Sequence, residues 1–164
     1  MEEAGTAAER SEIHAVIEAA FGGSDEADLV DQLRPSEYSI LSLLAELDGR
    51  VIGHILFSRM WIDTSAGRVS AVALAPVAVR PDHQREGIGS LLIERGLDLM
   101  RARGEEIAIV VGHPEYYPRF GFSTEKARFL RSPFPGEAFM ALELREGALQ
   151  GIEGSVVYPP AFGI

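Results

Sequence analysis

Cysteine is absent from the 164 residues, which excludes disulfides, thiolate metal sites and a cysteine nucleophile. Positive charge is scarce. Fifteen Lys and Arg stand against 25 Asp and Glu, a formal net charge of −10. That balance argues against a nucleic-acid partner, which calls for a basic footprint, and leans towards a cationic or amine ligand. No apolar run approaches a membrane span, so no membrane partner is expected. The start, Met1-Glu2-Glu3-Ala4, is acidic and lacks the apolar core of a signal peptide, so the expected location is cytoplasmic. No internal repeat or low-complexity tract marks a boundary. No His-x-x-x-His pair and no His/Asp cluster has ligand spacing, so no metal is expected.

What remains is an ordinary globular composition, 46% hydrophobic and 24% charged. At this length it predicts one domain over 1–164 with a single core. Ile13, Val16, Ile17, Ala20 and Phe21 recur at helical spacing, and Gly22-Gly23 stops the run. A short helix follows over 26–33, closed by Pro35. The period then changes to strand-like segments over 41–47 and 50–61, joined by Asp48-Gly49, a strong hairpin signal. A third strand spans 68–79 and contains Pro76. Proline cannot donate to a ladder, so the strand either bulges at an edge or splays there and turns its backbone to a ligand.

A helix over 87–103 places Ile88, Leu91, Leu92 and Leu99 on a buried face, with Gly96 allowing close approach to a sheet and Gly104 beyond its end. The continuous apolar run 107–111 reads as a buried strand, and a helix between two strands implies a right-handed crossover and a parallel pair. A helical turn near 114–119 and strands over 121–123 and 139–144 complete a mixed α/β sheet, antiparallel early and parallel in the middle.

Between strand and helix lies Val77-Ala78-Val79-Arg80-Pro81-Asp82-His83-Gln84-Arg85-Glu86-Gly87-Ile88-Gly89. Strand, tight loop and helix start form a phosphate site: the first helical N–H groups lack internal partners, and glycine lets backbone approach the ligand. Gly87-x-Gly89 alone is weak, and it is neither a three-glycine dinucleotide fingerprint nor a P-loop. Taken whole, Gln84 to Gly89 resembles the acyl-CoA pyrophosphate loop of the GNAT superfamily, Gln/Arg-x-x-Gly-x-Gly/Ala. A second motif, Gly112-His113-Pro114-Glu115-Tyr116-Tyr117-Pro118-Arg119-Phe120-Gly121-Phe122, follows in order. With Phe139 to Leu144 and the tail around Val157-Tyr158-Pro159, the chain is similar to the YhbS-like branch of that superfamily over about nine-tenths of its length by motif order.

The resemblance implies a centrally splayed sheet of six to seven strands and an acetyl-CoA-dependent N-acetyltransferase acting on a small-molecule or peptide amine. It implies cofactor contacts at Val77, Ala78, Val79, Gln84, Arg85, Gly87, Ile88, Gly89 and Ser90, and Tyr117 as the acid for the leaving thiolate. Loops 21–40 and 129–137 would shape the acceptor side, and a homodimer is common among such relatives. A non-catalytic acyl-CoA sensor and a transferase for another acyl-CoA are the alternatives. Two departures stand out: the superfamily's first strand is nearly absent, so a late start of the chain is expected, and Arg85-Glu86 replaces the frequent Gly-Arg or Gly-Lys. Glu86 must therefore point away from a pyrophosphate, with Arg85 supplying positive charge. The general base is unassigned. His113 reads first as capping the turn before Pro114, His54 as a satisfied sheet histidine and His83 as solvated. Arg119 either meets the cofactor or covers the helix end, Glu46 has position alone in its favour, and 128–131 reads as a surface loop.

Overall fold

Asp48 and Gly49, at φ 52° and 75°, occupy the left-handed region that a two-residue hairpin turn requires. They join β2 (Ser39–Leu47) to β3 (Arg50–Thr64) in an antiparallel hairpin. The computed structural model describes residues 2–3, 7–134 and 136–164. Met1 and Ala4 of the acidic start and Pro135 of the 129–137 loop lie outside them. Among the described residues there are three α-helices and eight strands, two of them only two residues long. The result is a mixed α/β fold, and no helix among these residues is long and apolar enough to cross a membrane. The chain divides into two units, Met1–Ser58 with Ala75–Gly96 and Arg59–Leu74 with Leu97–Ile164. β3 and β4 (Gly67–Val79) each contribute to both.

In the first unit, β1 (Glu2–Glu3) pairs antiparallel with β2, Glu2 opposite Leu44; the nearly absent first strand is thus present as two residues. α1 (Ala7–Phe21) buries Ile13, Val16 and Ile17 completely. Phe21, expected on the same face, is 45% exposed, because the helix ends at that residue and its stripe runs out past the core. α2 (Asp25–Leu33) buries Ala27, Val30 and Leu33 at i, i+3, i+6. α3 (Ile88–Ala102) corrects the sequence reading of its phase. Leu92, Ile93, Leu97 and Met100 are the buried residues, while Leu91 is 54% exposed. Gly96 lies in the middle of the buried stripe, where an added Cβ would collide with the Phe57 ring. The close approach was legible, and it selects the face that Leu91 does not share.

His54, on β3, is fully buried. Its Nε2 pairs with Ser42 Oγ at 2.7 Å, and Nδ1 has no partner among the described residues, so the sheet histidine is only half satisfied. Burial, with a smaller contribution from the Arg34 charge, pushes its pKa down to about 3. It is therefore neutral when folded, whereas the unfolded side chain takes up a proton near pH 6.5. The sign follows: stability is intact above pH 6.5 and is lost as pH falls towards 3, by up to about 5 kcal/mol from this residue. Urea unfolding of His54→Gln is expected to show a shallower loss across that window; an identical acid slope in the two proteins would refute the assignment.

The second unit is built on β5 (Ile107–Val111). β5 runs parallel to β4 through Val72↔Ala108 and Ala73↔Ile109, and antiparallel to β7 (Phe139–Glu143), with Ile107 opposite Glu143. β8 (Gly154–Val157) pairs with Trp61 to Thr64 of β3, and β6 (Leu130–Arg131) lies parallel beside it. Part of the expected 128–131 surface loop is therefore strand. The 121–123 strand reduces to one bridge, Ser123↔Ala141, since Gly121 at φ 100° closes the preceding turn and leaves no room for a longer ladder. Met60, Ile62, Ala71, Ile107, Ile109, Phe139 and Ala141 form the centre of the core.

Arg59 is held here by both oxygens of Glu105, at 2.8 and 2.6 Å, and by Ala71 O at 3.1 Å. Both side chains are largely buried. Glu105→Ala strands the guanidinium and is expected to cost about 2–4 kcal/mol in denaturant unfolding. Glu106 makes a similar pair with Arg145 in open solvent, where screening leaves little net gain. Glu106→Ala is expected to unfold with the wild type. Equal losses for the two would show that burial does not decide.

Candidate functional site

The residues assigned to cofactor contact all fall in the first unit and Tyr117 in the second, so the two sets are taken in turn. At the end of β4, Ala78 is buried and Val77 and Val79 are half-buried. The β4–β5 ladder stops at Ala73, three residues before Pro76. Arg80 anchors the strand end: its backbone N–H donates to Ile52 O and its Nε to Val51 O, both at 2.8 Å. A 3-10 turn, Pro81–His83, reverses the chain. Gln84 then folds back, its Nε2 donating to Val79 O at 3.0 Å, so its amide braces the loop.

Arg85 adopts φ 65° and Gly87 φ 84°. A side chain is strained at both, and the pair of left-handed residues aims the loop into α3. The first intrahelical bond runs from Leu91 N to Gly87 O, 3.0 Å. The amides of Ile88, Gly89 and Ser90 therefore precede it, at the positive end of the helix dipole. No acidic residue occupies the first turn of α3. Arg85 is exposed and makes no ion pair among the described residues. Glu86, the residue at odds with an anion site, has its Oε2 3.3 Å from His83 Nδ1. His83 is thus not simply solvated; its side chain is only 20% exposed and it draws the misplaced carboxylate aside. The i, i+3 spacing of His83 and Glu86 was the signal available for this.

In the second unit Tyr117 opens a 3-10 turn, Tyr117–Phe120. Its backbone N–H donates to His113 O at 3.2 Å, as does that of Tyr116 at 3.1 Å, so the His113 carbonyl caps the turn, with its side chain exposed. The Tyr117 ring is 7% exposed. It packs edge-on against Tyr116 and Phe122, with centroids 5.2 and 5.9 Å away. Gly112 lies against the ring so closely that any side chain there would overlap it. Burial, and secondarily Tyr116, pushes the hydroxyl pKa up to about 12, so it is protonated throughout the physiological range. Arg119 donates to Tyr116 O at 3.1 Å and lies over the Tyr116 ring at 4.6 Å, covering the turn. In the first unit, Glu46 is exposed near the end of β2.

A grouping invisible to linear spacing also emerges. Donor atoms of His14, Asp28 and Asp31, from α1 and α2, lie within 4.8 Å of one another.

A mixed α/β sheet with β4 and β5 parallel, a helix start after β4 with no acidic residue in its first turn and a tyrosine-bearing turn after β5 mark an acyltransferase class of fold. Residues 3–124 match the profile described as "Acetyltransferase (GNAT) domain". The chain belongs to the GNAT acetyltransferase family and by class is an N-acetyltransferase. It is 34% identical over 153 residues to the uncharacterized N-acetyltransferase YhbS of Escherichia coli (strain K12), covering 92% of this chain and 90% of YhbS. To the uncharacterized N-acetyltransferase YjhQ of the same organism it is 43% identical over 114 residues, 68% of this chain but only 63% of YjhQ. The structure of E. coli YhbS in complex with CoA superposes with a TM-score of 0.88 at 32% identity, covering 98% of this chain and 89% of the other. A Brucella melitensis GNAT acetyltransferase in complex with acetyl-CoA gives 0.81 at 34% identity, covering 98% and 96%.

Proposed function

We propose that this protein transfers an acetyl group from acetyl-CoA to a primary amine by direct attack on the thioester. The observation that carries the reading is the start of α3. Three helix-start amides follow a left-handed Gly87, Arg85 makes no ion pair among the described residues, and Glu86 is drawn off by His83. The YhbS and Brucella melitensis relatives, whose structures hold CoA and acetyl-CoA, support the same cofactor. In this reading Val77, Ala78 and Val79 meet the pantetheine arm, while Gln84 to Ser90 hold the pyrophosphate. Gln84 would exchange its bond to Val79 O, or keep it and brace the loop.

The amine must be neutral to attack, and its proton passes to solvent or an unassigned base. Negative charge gathering on the thioester oxygen calls for backbone N–H donors near Val79. As the C–S bond breaks, the Tyr117 O–H supplies the proton that leaves with CoA as a thiol. No metal enters these steps.

The test is release of free CoA thiol when the protein and acetyl-CoA meet a panel of small-molecule and peptide amines, alongside calorimetric titration of acetyl-CoA. Binding with turnover of a primary amine supports the reading. Binding with no turnover on any amine points to the sensor alternative, and a preference for propionyl- or succinyl-CoA moves the acyl group. A folded protein that binds no acyl-CoA refutes the proposal.

A further inference from the structure

The facing sides of α1 and α2 carry chemistry that the transfer reaction does not use. His14 lies mid-way along α1, with Nδ1 2.8 Å from Asp31 Oδ2 and Nε2 3.4 Å from Glu18 Oε2. Asp28 and Asp31 stand i, i+3 on α2 and so share a face. One donor atom each from His14, Asp28 and Asp31 comes within 4.8 Å of the others.

We propose that this cluster is a site for a first-row divalent cation of the zinc type, which clips α1 to α2. One imidazole and two carboxylates form a mixed N/O donor set, suited to Zn2+ or Co2+ rather than to the all-oxygen shells of Ca2+ and Mg2+. The imidazole is already oriented as in metal sites, where a ligating histidine presents its second nitrogen to a carboxylate. Glu18 takes that part. Asp31 divides its two oxygens: Oδ2 faces His14, while Oδ1 lies 3.9 Å from Arg10 Nε. The Arg10 side chain is 64% exposed and can swing into solvent as a cation takes its place. With three protein ligands on two helices, solvent completes the shell.

The experiment uses the full chain after chelator treatment, followed by thermal unfolding and calorimetry with Zn2+, Co2+ and Mg2+ chlorides. Zn2+ at a hundredfold excess over its dissociation constant is expected to raise Tm by about 5–10 °C, with one ion per chain, and Mg2+ to do little. Bound Co2+ should give the visible absorption of a low-coordinate N/O site. Asp28→Asn, at an exposed position, should keep the metal-free Tm and lose the shift; Glu18→Gln should weaken binding by about tenfold. No Tm rise with Zn2+ overturns the proposal. So does a rise that survives both Asp28→Asn and His14→Gln, since the ion would then sit elsewhere.

Discussion

Tyr117→Phe is expected to lower kcat by about a hundredfold, the lower end of what general acid catalysis supplies, and to leave both the fold and acetyl-CoA affinity unchanged. The ring is what the structure packs: its edge-on contacts with Tyr116 and Phe122 and the room left by Gly112 are kept by phenylalanine. Only the hydroxyl goes. The loss stays at the lower end because a thiolate leaves with a pKa not far above neutral and can depart without help at a cost in rate.

The raised pKa of Tyr117, about 12, sharpens the test. An acid of this strength does not titrate between pH 6 and 10, so the rate–pH profile of the wild type should show no fall assignable to it in that range. Stability moves with a definite sign. The folded pKa lies above the unfolded value near 10, so this residue's contribution is intact below pH 10 and is lost as pH rises towards 12. Steady-state kinetics with circular dichroism decide the matter. A Tyr117→Phe protein with undiminished kcat would remove the hydroxyl from the mechanism, and one that unfolds would assign it to packing.

Gly89→Asp should raise the dissociation constant of acetyl-CoA by about a hundredfold or more, since a carboxylate a few ångströms from a pyrophosphate costs about 4 kcal/mol at a surface-like dielectric. In the free protein the new charge is expected to be tolerated. The substitution puts a negative charge into the first turn of α3, which carries none, where the helix dipole favours it by about 0.3–1 kcal/mol. The expected signature is therefore opposed: cofactor affinity collapses while the free protein's Tm holds or rises slightly. No merely structural role for Gly89 produces that pair of results. Calorimetric titration and a thermal melt of the same sample provide both readings, and unchanged affinity would dismiss the helix start as the pyrophosphate site.

Signals that live within a few residues were legible in the chain itself. Asp48-Gly49 specifies its hairpin because two left-handed residues fit only that turn. The run 107–111 reads as a buried strand and is one, parallel to β4 as the intervening helix implied. The loop from Gln84 to Gly89 opens a helix because its glycines permit the backbone that the turn requires. The family likeness rests on the same local motifs.

What depends on partners distant in sequence was not legible. Which face of α3 is buried was decided by the Phe57 ring meeting Gly96, and so Leu91, apolar and correctly spaced, ended in solvent. The neutrality of His54 and the acid strength of Tyr117 are set by desolvation, and residue type alone does not reveal how much water folding removes. The His14, Asp28 and Asp31 grouping exists only because α1 and α2 lie side by side. By itself the sequence determined the class of fold, the loop that reads as a phosphate cradle and the tyrosine-bearing turn, because backbone chirality and hydrophobic period act locally. Tertiary structure alone decided faces, protonation states and the meeting of side chains from separate helices, because these follow from packing and from the exclusion of water.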